Sequence, residues 1–321
     1  MEKAIRNFPK QFSFSPQVEN ASKLKQYRKF VVVGMGGSAL AGSTLQSAKP
    51  DLDLKIHKNY NLPFIKKEDE KETLIIASSY SGNTEETLSG YVEAKKRKID
   101  LAALSVGGKL IELAKKDKNP FVIIPNTGIQ PRMTFGFNLL GLLKLTRSEK
   151  DLKIVSTLEK KLKVSLAEKR GKQLAEILWD KIPVIYSSES NLPIAYNWKI
   201  KFNETTKIPA FYNILPELNH NEMTGFDFIK TTQSLNDKFH FVFLNDSSDH
   251  HKIKSRFKVL QKLFQARSIG VSAISLEGKN IWEKICSNLL VADWTAFYLA
   301  RYYGVEAEQV PMVEEFKKLI K

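Results

Sequence analysis

The chain has 321 residues, with 50 Lys and Arg against 35 Asp and Glu, a formal charge of +15, 42% hydrophobic residues and one cysteine. These figures exclude intrinsic disorder, collagen-like repeats and a disulfide scaffold, and the length fits about two domains with packed cores. Cys286 cannot form an internal disulfide, the first residues hold no signal-peptide core, and no apolar run approaches about 18 residues, so a soluble cytoplasmic chain is expected.

Short β-type runs alternate with longer amphipathic stretches, the pattern of an α/β protein with parallel sheets. Residues 30–33, 74–78, 101–106 and 121–124 read as strands, with helices starting near Ser38, near 82–84 and near Gly108, and another over 132–144. Apolar spacing in the lysine-rich stretch 148–169 predicts one helix crossing between the halves. The second half reads as strand 184–186, helix 192–204, strand 239–244, helix 251–267, strand 271–275, long helix 281–303 and closing helix 312–321. Each half opens as strand, Ser/Gly loop and helix, which implies a duplicated α/β unit divided as 1–150 and 151–321.

The stretch VVVGMGGSALAG, 31–42, runs a strand through Gly34, Gly36 and Gly37 into a helix at Ser38, a helix start suited to an anion. Gly34-x-Gly36-x-x-Ala39 also fits a dinucleotide fingerprint, with Asp51 or Asp53 near the offset of a ribose-binding acid, and a purely structural turn is a third reading. In ASSYSGNTEET, 77–87, the hydroxyls of Ser79, Ser81 and Thr84 gather where a helix begins, a suitable grip for phosphate. Capping by Ser81 or Thr84, with a following Glu reaching back, would need only one of the three hydroxyls. The pattern Ser79-x-Ser81-Gly82-x-Thr84 resembles the phosphosugar loop of the sugar isomerase (SIS) fold, and Gly36-Gly37-Ser38 resembles that fold's other substrate-facing turn.

In KFNETTKIPAFYNILPELNHNEMTGFD, 201–227, Glu204 and His220 are an acid and a base at a spacing of 16 residues. The segment resembles that of the bifunctional phosphoglucose/phosphomannose isomerases, and the resemblance covers essentially the whole chain. It implies two tandem SIS units, each a mainly parallel sheet flanked by helices. It also implies an aldose–ketose isomerase interconverting glucose 6-phosphate, and mannose 6-phosphate as a second substrate, with fructose 6-phosphate through a cis-enediolate.

By that resemblance Glu204 moves the C1/C2 proton, His220 opens the ring, and Arg132 stabilises the enediolate, while Gly37, Ser38, Ser79, Ser81 and Thr84 hold the phosphate. Lys317 would assist ring opening, with Lys318 as its neighbouring alternative. The alternative for Arg132 is a solvent-facing arginine at a helix start, and the Met133-Thr134-Phe135 after it departs from the small residues of the family. The resemblance further implies no cofactor or metal, and a homodimer in which His220 reaches the partner's site.

The rival readings are a non-catalytic sugar-phosphate-binding SIS regulator and an isomerase of another phosphosugar. His250-His251 beside Asp246 and Asp249 lacks metal-ligand spacing and reads as a loop and helix start, its adjacent histidines pointing apart. The basic run 94–98 reads as a solvated helix end. Neither a P-loop nor a nucleic-acid module is recognisable, so neither nucleic acid nor membrane is expected as a partner.

Overall fold

Runs of β-branched and aromatic residues form the strands of two parallel sheets, and the chain between them returns mostly as helices, as parallel pairing requires. The computed structural model describes residues 1–320 and divides into two units, Arg6–Leu162 and the chain from Lys163 onward together with Met1–Ile5. Lys321, the predicted end of the closing helix, lies outside the described residues.

After a short opening helix, α1 (Glu2–Arg6), the first unit runs β1 (Lys29–Val33), α2 (Gly36–Ala48), β2 (Asp53–His57), β3 (Thr73–Ser78) and α3 (Glu85–Arg97). It continues through β4 (Asp100–Ser105), α4 (Gly108–Lys116), β5 (Phe121–Ile123), α5 (Phe135–Leu145), α6 (Glu149–Ser156) and α7 (Leu158–Lys161). The strand order is β2-β1-β3-β4-β5, all parallel. β3 is buried at every residue, as befits a central strand covered on both faces. Val31, Val33, Ile75, Tyr91, Leu101 and Leu110 pack together in this unit's core, where each large apolar side chain contributes about 1.5–3 kcal/mol.

The second unit holds α8 (Val164–Leu178), β6 (Ile182–Ser188), α9 (Leu192–Lys201), β7 (Phe211–Leu215), β8 (Phe239–Asn245), α10 (His251–Gln265), β9 (Gly270–Ser275), α11 (Ile281–Tyr302) and α12 (Pro311–Leu319). Its order, β7-β6-β8-β9, repeats the first four positions of the other sheet, which is the structural form of the duplication. The core here is aromatic: Tyr186 stacks on Phe243 at 5.7 Å, and Phe241 lies 4.6 Å from Phe264.

Three differences from the sequence reading have local causes. The unpredicted strands β2 and β7 are both at sheet edges; β2 carries Asp53 and Lys55 exposed, and Phe211 and Tyr212 of β7 face solvent, so neither shows a buried apolar run. The single helix predicted over 148–169 is three helices. Ser156 and Thr157 hydroxyls bond back to the Leu152 and Ile154 carbonyls, and Leu162 is extended (ψ 124°) at the border between the units. The helix predicted from Arg132 begins at Phe135, because Pro131–Met133 form a 3-10 turn.

Candidate active site

In the first unit, α2 starts with Gly36 at φ +47°, no side chain caps it, and its first turn holds no acid, so its positive end is left for an anion. A Cβ on Gly37 would stand 2.5 Å from the Pro131 carbonyl oxygen and 2.7 Å from the Arg132 nitrogen, so this glycine lets the α2 start touch the turn that carries Arg132. Arg132 is 2% exposed, not the solvent-facing arginine of the alternative reading, since Pro131–Met133 is held under α2. Gln11 strengthens that turn by donating from Nε2 to the Met133 carbonyl at 2.6 Å.

Ser38 links the first loop to the second: the Tyr80 backbone N–H donates to Ser38 Oγ at 2.9 Å. Within the second loop, Ser79 Oγ shares a 2.8 Å hydrogen bond with Thr84 Oγ1 and accepts from Gly82 N, while Ser81 Oγ accepts from Asn83 N. Gly82 sits at φ +72°, and a Cβ there would meet the Gly107 carbonyl at 1.8 Å. Side-chain capping does not occur: Thr84 occupies the N-cap position of α3 without a side-chain cap bond. Ser79 is buried, Thr84 half-buried and Ser81 exposed. Glu85 and Glu86 in the first turn of α3 oppose the dipole's pull on an anion, so this helix start draws an anion less than that of α2. Together the structure brings Gly37, Ser38, Ser79, Ser81, Thr84 and the Arg132 turn to neighbouring loops of one unit.

The dinucleotide alternative does not survive the strand register. Asp53 pairs with Lys29 at the start of β1, whereas Gly34 follows Val33 at its end, about 13 Å of strand away, and Asp51 lies before Asp53.

In the second unit, the helix predicted to reach Glu204 ends at Lys201 and passes into a π-helical turn, Phe202–Thr206, with Glu204 at its centre. Such turns widen the backbone ladder and are concentrated at functional sites. Both of its ends are tied to α11: Lys201 forms an ion pair with Asp293, each only 3–4% exposed, and Thr206 Oγ1 donates to the Ala296 carbonyl at 2.9 Å. Lys207, at φ 63°, closes the turn and donates from Nζ to the Glu204 carbonyl. Glu204 is half-buried beside Tyr196, whose phenol is pushed up by burial and then by the nearby Tyr212 and the Glu204 charge.

His220 ends the 3-10 turn Glu217–His220 after β7, and its exposed ring makes no hydrogen bond or ion pair among the described residues. Glu204 precedes β7 and His220 follows it, so about 13 Å of strand lies between them. Lys317 is exposed on α12 and pairs with Glu314 at 2.8 Å, and Lys318 is also exposed.

Comparison with known proteins decides the family. The chain is 34% identical to a bifunctional phosphoglucose/phosphomannose isomerase of Aquifex aeolicus, over 99% of this chain and 98% of that one. It is 33% identical to the protein of the same name from Caldicellulosiruptor bescii, again over 99% and 98%. The chain belongs to the bifunctional phosphoglucose/phosphomannose isomerase family. Residues 167–320 also match the family described as the bacterial phospho-glucose isomerase C-terminal SIS domain. Among solved structures, the C-terminal domain of glucosamine-fructose-6-phosphate aminotransferase from Francisella tularensis shares the fold, with a TM-score of 0.69 at 14% identity over 96% of this chain and 97% of that one.

The duplicated SIS unit shows how one copy of a loop pair can be closed. At the ends of β6 and β8, the positions that carry the two first-unit loops after β1 and β3, the second unit places Ser188 and Asn191 against two carboxylates, Asp246 and Asp249. Ser188 Oγ donates to Asp249 Oδ1 at 2.7 Å, Asn191 Nδ2 donates to Asp246 Oδ2 at 3.0 Å, and Lys284 pairs with Asp246. Burial, together with the Asp246 charge and against the Ser188 hydrogen bond, raises the Asp249 carboxyl. The sequence reading missed this cluster and the Lys201–Asp293 pair. Asp293, the one charged residue in LLVADWTAF, was the available signal for the latter. His250 caps α10 by accepting from Lys252 N, as a loop and helix start should, but its ring lies 4.3 Å from that of His251 instead of pointing away.

Proposed function

We propose that the chain is an aldose–ketose isomerase of the cytoplasm, acting on glucose 6-phosphate, and on mannose 6-phosphate as a second substrate, to give fructose 6-phosphate. The observation that carries the reading is the near-full-length likeness to enzymes named for both activities. The hydroxyls of Ser38, Ser81 and Thr84, with Ser79 bracing the loop and Gly37 admitting the Arg132 turn, take the phosphate. Glu204 removes the C2 proton of the open-chain aldose, the electron pair forming the C1=C2 bond of a cis-enediolate as the C1 carbonyl becomes O1⁻; the hydroxyl proton passes from O2 to O1, and Glu204 returns its proton to C1 as the C2 carbonyl forms. Carbon and proton bookkeeping close within the substrate, so the step calls for no external oxidant or reductant. Arg132 offsets the charge that develops on oxygen and, as a guanidinium, cannot lose its proton. His220 moves the ring-opening proton, aided by Lys317.

A homodimer fits the separation of Glu204 from His220 along β7. A proton must be handed to the ring oxygen of the same sugar over hydrogen-bond distance, and the exposed imidazole of a second copy supplies it.

A coupled assay with glucose 6-phosphate, mannose 6-phosphate and glucosamine 6-phosphate, with and without chelator, tests the proposal. Turnover of the first two, unchanged by chelator, is expected. Phosphosugar binding without turnover would favour a regulator, turnover of glucosamine 6-phosphate alone another phosphosugar enzyme, and loss with chelator would contradict the metal-free mechanism.

A further inference from the structure

Among the described residues the ring of His220 has no hydrogen-bond or ion-pair partner, yet the polar groups of its turn are engaged. Asn221 Nδ2 donates to Glu217 Oε1 at 2.9 Å, Asn221 Oδ1 accepts from the Glu222 backbone N–H, and Arg256 of α10 donates to Asn219 Oδ1 at 3.2 Å. The strongest tie is at Glu222, two residues beyond His220. One of its carboxylate oxygens accepts from the Tyr186 hydroxyl of β6, the other from Asn213 Nδ2 of β7. Tyr186 has no solvent exposure and is fixed between Phe241 and Phe243, so the carboxylate is clamped to the rigid centre of the second sheet. Hydrogen bonds to a charged acceptor are the strong kind, and a carboxylate held by two strands defines both position and orientation.

We propose that Glu222, with Tyr186 and Asn213, is the positioning device for His220: it fixes the turn after β7 so that an otherwise unrestrained imidazole is presented at one place. The inference rests on the reading of His220 as the ring-opening group. Its role is through the turn and not through the substrate, since each of its carboxylate oxygens accepts from the sheet. Ring opening is the step that depends on it, and proton transfer at C1/C2 is not.

The test compares Glu222→Gln and Tyr186→Phe with wild type on two substrates: glucose 6-phosphate, and its 4,5-dideoxy analogue, which lacks the ring-forming hydroxyls and so stays open. A displaced proton donor costs on the order of tenfold to a hundredfold, so kcat on glucose 6-phosphate should fall by that factor with KM little changed, while the open analogue is turned over as by wild type. Equal losses on both substrates, or no loss on either, would overturn the proposal. His220→Asn runs beside them: if it is not selectively impaired on the closed sugar, the ring-opening reading fails instead. The His220 imidazole NMR resonance, followed through neutral pH, reads positioning without activity. It should move in both variants, and an unchanged resonance overturns the clamp whatever the kinetics show.

Discussion

Gly37 is the residue on which the contact between the α2 start and the Arg132 turn depends. Its missing side chain lets backbone meet backbone at the Arg132 turn, and a methyl group there would have to displace the Pro131 carbonyl. Gly37→Ala is expected to raise KM for the sugar phosphate at least tenfold, about 1.4 kcal/mol of binding, while circular dichroism stays that of wild type. A normal KM would show that the turn can retreat without consequence. The two strand-to-helix loops were legible in the sequence because their glycines and hydroxyls stand where an apolar strand run gives way to a helix. The division of labour among them was not. That Ser79 faces inward to Thr84 and that α3 lacks a side-chain cap are outcomes of packing, invisible to a pattern of residue types.

At the scale of elements, the turn carrying Glu204 is built by α9 and α11 together. The spacing of 192–204 reads as uninterrupted helix, and only the ties of Lys201 and Thr206 to α11 show why the ladder widens at Phe202. Breaking one partner of a buried ion pair costs about 3–5 kcal/mol. Asp293→Asn should therefore lower the midpoint of thermal unfolding by on the order of 10 °C and reduce kcat through Glu204. Replacing both partners with apolar residues, Lys201→Met with Asp293→Leu, should restore most of the stability but not kcat. Recovery of both would mean that the pair only holds the helices. Central strands were legible as continuous apolar runs; β2 and β7, half-solvated at the edges, were not, and with β7 went the separation of Glu204 from His220.

For the molecule as a whole, the charge of +15 finds several of its cations in surface pairs. Lys95 with Asp117, Arg97 with Glu70 and Lys49 with Asp151 are examples, so the basic run at the end of α3 is in part neutralised locally. The exposed member Lys95 gives its pair little weight in stability. One source of acid sensitivity lies in the interior. Burial, and then the Lys181 charge, lower His240 from an ordinary value of 6.5 to about 4. The unfolded chain takes up this proton first. Stability is therefore full above the ordinary value, falls as pH drops toward the folded one, and levels off below it, a loss on the order of 3 kcal/mol. Urea midpoints across that range should slope for wild type and flatten for His240→Gln; parallel slopes would place the sensitivity elsewhere.

The central claim is that Glu204 moves the proton, and one pair of measurements tests it: calorimetric binding of fructose 6-phosphate and single-turnover isomerisation, for wild type and Glu204→Gln. Near-equal affinity and a rate lower by roughly a hundred- to ten-thousandfold are expected. A Glu204→Gln protein that isomerises at the wild-type rate would contradict it.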